Sequence, residues 1–292
     1  PDGQSIATTR GSAGVIYSID ALHEFVDSSR SEFIYQETPP PGTKKEKPAE
    51  PESVKLEGHT GEINSIAFSP DGRFVVTASA DGTARVWEAG TGKSIGELRG
   101  HSKSVNSASF SPDGKFIVTA SDDQTVRLWD ATRFALVKNI GGTYPRIVSS
   151  AKYSPDGRFI VAASGEAAWV CDPVRGEVVR KLEGHTGQVN SASFSPDSHL
   201  IVTASADNTA RVWNVETGES IATLLDHKGP VLNAMFSPDG QSVFTASEDY
   251  ATRIYPREAF APFEELRGLI NQRVARELTP KERDDYLNEN SF

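Results

Sequence analysis

The sequence is short of the features that mark disulfide-stabilised, membrane-spanning and nucleic-acid-binding proteins. Among its 292 residues there is one cysteine, Cys171, so no internal disulfide can form. No apolar run approaches the roughly 18 residues that a membrane span needs, and the first residues do not read as a secretory signal. Forty acidic against thirty basic side chains give a formal net charge of −10, which repels a phosphate backbone. We therefore expect a cytoplasmic protein that binds neither nucleic acid nor membrane.

The sequence also has no motif of the kind that binds a phosphate group or a metal ion. Its glycines mark turns, and the phosphate-loop signature GxxxxGK[ST] does not occur. No pair of histidine, cysteine or carboxylate side chains has the spacing of a metal site. We expect no cofactor and no metal, and we do not expect an enzyme.

What the sequence does have is one pattern copied four times. A histidine, a serine, an aspartate and an aromatic residue recur in a fixed register, each set shifted from the last by 42 residues or by twice 42. The sets are His59, Ser79, Asp81 and Trp87; His101, Ser121, Asp123 and Trp129; His185, Ser205, Asp207 and Trp213; and His227, Ser247, Asp249 and Tyr255. A period of this length indicates a repeated supersecondary unit. Serine, histidine and aspartate also form catalytic triads, but a catalytic site is a single constellation, so we interpret the copied sets as structural.

Each unit reads as a four-stranded antiparallel meander. In the first complete copy, β-compatible runs at 63–69, 74–79, 84–88 and 94–98 alternate with turn sequences such as Ser-Pro-Asp-Gly at 69–72. Proline presets φ, glycine supplies a positive φ and aspartate bonds its own backbone, so these tetrapeptides favour tight turns. One such sheet cannot bury both faces, so neighbouring sheets must stack. We therefore predict an all-β fold, a β-propeller of four-stranded blades.

The unit sequences carry a more specific resemblance. LEGHTGEINSIAFSPDGRFVVTASADGTARVWEA (56–89) and LEGHTGQVNSASFSPDSHLIVTASADNTARVWNV (182–215) are similar to the tryptophan-aspartate (WD) repeats of β-propellers, and the literal dipeptide survives as Trp129-Asp130. The resemblance covers nearly all of 56–265. It implies that in each set the aspartate holds the histidine, the histidine meets the serine, and the serine bonds the tryptophan indole N–H.

Repeats and composition divide the chain into four parts. The segment 1–27 reads as a partial blade with strands at 5–9, 15–19 and 22–26, and 28–53 as a flexible linker rich in proline and charge. Five WD-repeat blades are predicted over 54–265, as the units 56–97, 98–139, 140–181, 182–223 and 224–265. The fourth part, 266–292, is a predicted helical tail.

The tail prediction depends on two patterns. Leu266, Leu269, Ile270, Val274 and Leu278 fall at helical spacing, and Thr279 to Glu282 form a capping box. The stretch 275–287 is also similar to the tails of bacterial multidomain WD-repeat proteins that carry an ATPase, kinase or protease module. Because Pro1-Asp2-Gly3 matches the turns inside the units, we expect the chain to begin within a unit and to be part of a longer polypeptide.

The third complete unit, 140–181, breaks the pattern. Thr143 stands in the histidine position and Cys171 in the tryptophan position, and Gly165-Glu166-Ala167 replaces the aspartate turn with one residue fewer. The resemblance implies that Tyr144, Arg146, Glu166 and Trp169 lie together on the narrow face, where WD propellers most often bind peptides. Tyrosine, tryptophan and arginine dominate interface energetics, so we hypothesise a partner site here. The alternative is drift in a blade held by its neighbours, with Trp169 packed between sheets.

The same correspondence adds further candidates on the narrow face, namely Glu62, Asp122, Lys228 and Glu248. We predict a noncatalytic scaffold or sensor that binds a protein or peptide there. One alternative is the regulatory propeller of a larger bacterial enzyme with an ATPase, kinase or protease module before residue 1. Another is a propeller enzyme with a carboxylate-lined or metal-bearing central channel. It predicts acids or histidine on the innermost strands, whereas 63–68, 105–110 and 189–194 carry only asparagine, serine, alanine and apolar residues.

Overall fold

The computed structural model describes residues 5–18 and 53–261, and in them the protein is almost entirely β-strand. Twenty-two strands form six antiparallel sheets, and the one helical element of these residues is the 3-10 turn Arg257–Ala259. Every sheet is built from strands that follow one another along the chain. The prediction of an all-β fold made of antiparallel meanders is confirmed.

We number the sheets in chain order. Sheet 1 contains β1 (Ser5–Arg10), β2 (Ala13–Ser18) and β3 (Ser53–Leu56). Sheet 2 contains β4 (Ile63–Phe68), β5 (Phe74–Ser79), β6 (Ala84–Glu88) and β7 (Ser94–Leu98). Sheet 3 contains β8 (Val105–Phe110), β9 (Phe116–Ser121), β10 (Thr125–Asp130) and β11 (Leu136–Thr143). Sheet 4 contains β12 (Val148–Tyr153), β13 (Ile160–Ser164), β14 (Ala167–Asp172) and β15 (Glu177–Glu183). Sheet 5 contains β16 (Val189–Phe194), β17 (Leu200–Ser205), β18 (Ala210–Asn214) and β19 (Ser220–Leu224). Sheet 6 contains β20 (Val231–Phe236), β21 (Ser242–Ser247) and β22 (Thr252–Pro256).

The Ser-Pro-Asp-Gly sequence at 69–72 forms the tight turn between β4 and β5. The Gly72 N–H donates to the Ser69 carbonyl at 2.9 Å, and Gly72 has a φ of 70°, which favours glycine. The Ser69 hydroxyl donates to Asp71 Oδ1 at 2.6 Å and accepts the Phe74 N–H at 2.9 Å. The side chains thus satisfy backbone groups that the strands leave free at the turn, and the same serine–aspartate contact recurs in sheets 3 to 6.

The hydrophobic core lies between successive sheets. The first strand of each sheet packs across the sheet before it, so that β8 contacts both β4 and β5. Between sheets 2 and 3, Val76 and Val86 meet Val105, Ile117 and Trp129, and each of these side chains is at most 2% exposed. Burying a side chain of this size contributes roughly 1.5–3 kcal/mol. Face-to-face stacking of consecutive sheets is how the blades of a propeller pack.

Side-chain hydrogen bonds also join the stacked sheets. Ser65 Oγ accepts the backbone N–H of Ala108 at 3.0 Å, and Asn64 Nδ2 donates to the backbone carbonyl of Val105 at 2.8 Å. The serine contact recurs from Ser107, Ser150 and Ser191, and the asparagine contact from Asn106 and Asn190. These small polar residues of the first strand of each sheet hold the sheet in register with the next.

Sheets 1 and 6 have three strands in the described residues. In sheet 1 the third strand is Ser53–Leu56, where the sequence had suggested 22–26. Leu56 pairs with Gly14 and is fully buried, because its side chain fills the space that the glycine leaves open. The end of the predicted fifth unit (262–265), the suggested strand at 22–26, the predicted linker apart from Ser53, and the predicted helical tail all lie outside the described residues.

Candidate interaction face

Sheet 2 holds a buried hydrogen-bonded network at the edge where the loop before β4 meets the turn between β5 and β6. His59 Nδ1 lies 2.7 Å from Asp81 Oδ2, and His59 Nε2 lies 2.7 Å from Thr77 Oγ1. Trp87 Nε1 donates to the same hydroxyl at 2.8 Å. The indole N–H can only donate, so Thr77 accepts from it, and a neutral imidazole can accept the Thr77 proton at Nε2 while its Nδ1–H donates to Asp81. The imidazole in this arrangement is neutral.

The network is copied at the same edge of three other sheets, and we call this edge of every sheet the His–Asp edge. In sheets 3 and 5 the histidine–aspartate distance is 2.8 Å, and the histidine–threonine and tryptophan–threonine distances are 2.7 and 2.8 Å. The residues are His101, Asp123, Thr119 and Trp129 in sheet 3, and His185, Asp207, Thr203 and Trp213 in sheet 5. In sheet 6, His227 bonds Asp249 at 3.0 Å and Thr245 at 2.7 Å. Tyr255 makes no hydrogen bond to Thr245, so this network ends at the threonine.

The prediction that serine supplies the central hydroxyl is wrong, because threonine two residues earlier does so. Ser79 ends β5 at the turn, where its hydroxyl donates to the Gly61 carbonyl at 3.1 Å and accepts the Asp81 N–H at 3.1 Å. The imidazole ring passes the serine and reaches Thr77, which lies on the same side of the strand. Ser121, Ser205 and Ser247 make the same turn contacts.

The surroundings keep the imidazoles of His59, His101 and His185 neutral and the aspartates of the networks ionised. Burial lowers the pKa of His59, against the opposing effect of Asp81. Burial alone would raise the pKa of Asp81, but hydrogen bonds from Thr83 and His59 outweigh it and lower this pKa to about 2. The same directions hold for His101, Asp123, His185 and Asp207. The four imidazoles are between 5% and 9% exposed, and both of their nitrogens are engaged, so the sets hold strands and loops together.

Sheet 4 lacks this network. Its strand register pairs Ala162 with Trp169, as Thr119 pairs with Arg127 in sheet 3. Ala162 therefore takes the place of the threonine and offers no hydroxyl. The thiol of Cys171 stands where an indole would donate, and burial raises the pKa of that thiol to about 11. An uncharged packing arrangement replaces the polar one.

Tyr144, and not Thr143, takes the place of the histidine in sheet 4. Its hydroxyl contacts the thiol of Cys171, which holds the tryptophan position, and its ring packs edge-on against Trp169 at 5.8 Å between centroids. Tyr144 is 2% exposed, so the prediction that it lies on the narrow face is wrong. The cause is the residue inserted before β12, which moves the tyrosine by one position in the register and turns its ring into the core. An alignment of the units that allowed this one-residue shift would have found it.

Arg146, Glu166 and Trp169 do come together, in a depression of about 320 Å³ at the His–Asp edge of sheet 4. Trp169 is partly exposed at its wall, and Arg146 and Glu166 are exposed at its rim. The Lys181 ammonium lies over the Trp169 ring, 4.9 Å from the centroid, and pairs with Glu183. Sequence reasoning missed Lys181, although it lies directly across from Trp169 in the strand register.

The depression exists because sheet 4 lacks side chains that the other sheets have. In the position of Trp169, sheets 2, 3, 5 and 6 carry Arg85, Arg127, Arg211 and Arg253. In sheet 2 the guanidinium lies against Gly58, where a Cβ atom would be only 2.6 Å from Arg85 Nη1. The turn of sheet 4 is also one residue shorter and has no aspartate. The shorter turn and the lost arginine leave the Trp169 ring accessible.

The other candidate residues do not join this depression. Each of them lies at the His–Asp edge of its own sheet: Glu62 in sheet 2, Asp122 in sheet 3, and Lys228 and Glu248 in sheet 6. Asp122 is half-buried and accepts from Asn106 Nδ2 at 2.7 Å, whereas Glu62, Lys228 and Glu248 are exposed. They form a mixed-sign set distributed over several sheets.

The described residues contain neither a candidate metal site nor a candidate membrane-spanning helix. In residues 5–18 and 53–261, no group of three or more histidine, cysteine, aspartate or glutamate side chains is placed to hold a metal ion. Within the same ranges, no helix has the length and apolar character required to cross a membrane.

Comparison with protein families identifies the repeated unit. The family WD40, described as "WD domain, G-beta repeat", matches residues 51–88, 92–130, 176–214 and 218–255, which together make up more than half of the chain. The unmatched stretch between the second and third matches, 131–175, contains the whole of β12, β13 and β14 of sheet 4. The break in the family match and the loss of the network thus fall in the same part of the chain.

Single repeats of the chain are also similar to curated proteins. Ribosome assembly protein 4 of Saccharomyces cerevisiae is 43% identical over 42 residues, which is 14% of this chain and 8% of that protein. Small ribosomal subunit protein RACK1y of Oryza sativa subsp. japonica is 42% identical over 45 residues, 15% of this chain and 13% of that protein. Serine-threonine kinase receptor-associated protein of Gallus gallus is 42% identical over 45 residues, with the same shares. The similarity spans about one unit and only a small part of each relative.

Proposed function

The chain belongs to the WD40 family of WD-domain, G-beta repeats, and from this we propose that it is a noncatalytic scaffold or sensor that binds a protein or peptide partner. The names of the similar proteins, a ribosomal subunit protein and a receptor-associated protein among them, describe components of larger assemblies. Scaffolding of this kind needs a rigid body with accessible loops. Sheets stacked through their cores and joined by side-chain hydrogen bonds supply the rigid body, so binding loses little loop entropy.

We place the partner site at the depression of sheet 4. The observation that supports it is that Trp169 is partly exposed beside Arg146 and Glu166, whereas Trp87, Trp129 and Trp213 are 1–2% exposed. Tryptophan and arginine carry much of the binding energy in protein interfaces because they combine a large contact area with directed polar groups. The depression fits a peptide that lays an apolar or planar side chain on the indole and pairs its polar groups with the charged rim.

The finer features of the fold belong to the same proposal. In it the six sheets are blades of a β-propeller, the His–Asp edge is its narrow face, and the protein works in the cytoplasm. Glu62, Asp122, Lys228 and Glu248 then contribute secondary contacts on that face. The unit boundaries predicted from the sequence stay predictions.

A comparative pull-down tests the partner site. The tagged chain is incubated with extract of its source cells beside Arg146→Ala/Glu166→Ala/Trp169→Ala, and captured proteins are quantified by mass spectrometry. The matched control Lys115→Ala/Arg133→Ala/Glu177→Ala changes three exposed charged residues away from the His–Asp edge. We expect the first variant to lose a specific partner at least about tenfold, equivalent to about 1.4 kcal/mol, and the control to keep it. Equal capture by both variants would refute the site, and capture of no specific protein by the parent chain would refute the scaffold function.

The alternative is the regulatory propeller of a larger bacterial enzyme. The similarity of 275–287 to the tails of such proteins favours it. The sequence encoded before Pro1 tests this alternative, because an ATPase, kinase or protease module there would make the propeller the regulatory part of that enzyme.

A further inference from the structure

A groove opens between sheets 3 and 4 at the edge opposite the His–Asp edge. It is bordered by the Ser-Pro-Asp-Gly turns of the two sheets and has a volume of about 450 Å³. These turns join the first and second strands, so in antiparallel sheets they lie at the other end of the strands from the His–Asp edge. Phe116, Leu128 and Pro173 form apolar walls of the groove. Apolar walls with a few polar groups are typical of a binding pocket.

Apolar side chains continue from the groove onto the surface. Val137 is 45% exposed and Val174 is 81% exposed, and both line the groove. Leu136, which precedes Val137 on the outer strand β11, is 46% exposed. In sheets 2, 3 and 5 the turn position of Val174 carries a small or polar residue, namely Gly90, Thr132 and Glu216. A valine with this exposure adds little to the core of its own sheet, so its apolar surface is available to a partner.

Sheet 4 also differs from the other sheets in one polar group of this groove. Tyr153 lines the groove and is partly buried in the core between sheets 3 and 4. In sheets 2, 3, 5 and 6 the same register position carries phenylalanine, namely Phe68, Phe110, Phe194 and Phe236. The Tyr153 hydroxyl forms no hydrogen bond within the described residues. Burial and the charge of Asp113 raise the pKa of Tyr153, so the hydroxyl keeps its proton and can donate it to a ligand.

The groove has one carboxylate without a basic partner in the described part of the chain. Asp156 lines the groove, is exposed, and forms no ion pair with a described residue. The second carboxylate of the groove, Asp113, is paired with Lys115 at 3.1 Å. The Lys138 ammonium donates to the Val174 carbonyl at 2.7 Å. A positive group of a ligand therefore complements Asp156, and complementary charges guide a partner to its site.

We propose that this groove binds a segment of a partner polypeptide, which inserts an apolar side chain beside Tyr153 and Val174 and pairs a neighbouring lysine or arginine with Asp156. The apolar surface extends beyond the groove over Val137 and Leu136, which suits an extended polypeptide laid across the edge. This site lies at the opposite edge from the depression of sheet 4 and does not depend on it. The protein can then hold two polypeptide segments at once, one at each edge.

Selected peptides test the groove without prior identification of the partner. A phage-displayed library of short random peptides is panned against the whole chain, and the enriched peptides are synthesised with a fluorescent label. Fluorescence anisotropy gives their affinities for the parent chain and for the groove variant Asp156→Asn/Val174→Lys. The matched control Asp71→Asn/Thr132→Lys makes the same changes at the corresponding positions of other units, both in the groove between sheets 2 and 3. Unfolding midpoints establish that the variants remain folded.

We expect enriched peptides that carry an apolar side chain next to lysine or arginine. They should bind the groove variant at least about tenfold more weakly than the parent chain and bind the control with unchanged affinity. The absence of any peptide that distinguishes the groove variant from the parent would overturn the proposal, and so would groove-dependent peptides with acidic flanks. Peptides that lose affinity for Arg146→Ala/Glu166→Ala/Trp169→Ala instead report on the depression of sheet 4, so the two sites succeed or fail separately.

Discussion

The hydroxyl of Tyr144 lies 3.2 Å from Sγ of Cys171 inside sheet 4. In sheets 3 and 5, the corresponding positions hold a histidine and a tryptophan that meet through a threonine hydroxyl. One aromatic–thiol contact therefore replaces a four-residue polar network. This contact stabilises the interior through packing, because neither group is charged there. Burial raises the pKa of the Tyr144 hydroxyl and that of the Cys171 thiol.

Two substitutions of Tyr144 should distinguish the contribution of its ring to stability from that of its hydroxyl. Tyr144→Phe removes one weak hydrogen bond and should change the free energy of unfolding by less than about 1 kcal/mol. Tyr144→Ala leaves a cavity in the core shared by sheets 3 and 4 and should cost about 3–5 kcal/mol. Urea denaturation followed by circular dichroism measures both values. A loss in the phenylalanine variant as large as that in the alanine variant would show that the hydroxyl, and not the ring, holds this interior together.

The threonine hydroxyl of each network should contribute more to the stability of the protein than the small size of the side chain suggests. Thr203→Val keeps the shape of the side chain but leaves the Trp213 N–H and His185 Nε2 without their partner, each at about 1–3 kcal/mol. Thr203→Ser keeps the hydroxyl and should recover most of the loss. Chemical denaturation of the two variants checks this order. If the valine variant were as stable as the serine variant, the hydroxyl would not be the centre of the network.

The networks should make the protein less stable in acid. The pKa of Asp207 is lowered from 3.8 to about 2 in the folded chain, so the unfolded chain takes up the proton first as the pH falls. This contribution is complete above about pH 4 and is lost as the pH falls towards 2. The buried imidazoles act in the same direction, since their pKa is lowered from 6.5, and they reduce stability as the pH falls below about 6.5.

Asp207→Asn tests the acid dependence. The variant should be less stable than the parent at pH 7, and its urea midpoint should fall less between pH 7 and pH 3. Glu219→Gln, an exposed acid of the same sheet, is the control and should retain the fall seen in the parent. A fall of the same size in Asp207→Asn would mean that this network does not carry the acid sensitivity.

Among the tryptophans of the described sheets, Trp169 should be the one that is accessible to solvent. Trp87, Trp129 and Trp213 are 1–2% exposed, whereas Trp169 lines an open depression. Acrylamide should therefore quench one component of the intrinsic fluorescence efficiently, and Trp169→Phe should abolish that component. Trp87→Phe should leave it in place. Efficient quenching that persists in Trp169→Phe would show that the depression is closed in solution.

Much of the fold could be predicted from local patterns. Strand boundaries are predicted by the 42-residue period, the Ser-Pro-Asp-Gly turns and the short β-compatible runs. This works because turn geometry and strand alternation depend on neighbouring residues. The histidine, aspartate and tryptophan of the networks were identified for the same reason, since each recurs in register. Arg146, Glu166 and Trp169 could be grouped because the resemblance to WD repeats implies that the loops they flank open on one face.

The remaining features were decided by tertiary structure. Thr77 and Ser79 are both hydroxyl residues on one side of β5, and only the reach of the His59 ring determines which of them it bonds. Tyr144 could be exposed or buried on composition alone, and the inserted residue before β12 turned it inward. Lys181 on β15 contacts Trp169 on the neighbouring strand β14, and the spacing of the two residues in the sequence does not reveal this contact. Sequence determines periodic structure through local geometry, whereas the distances between side chains of different strands and sheets exist only once the chain is packed.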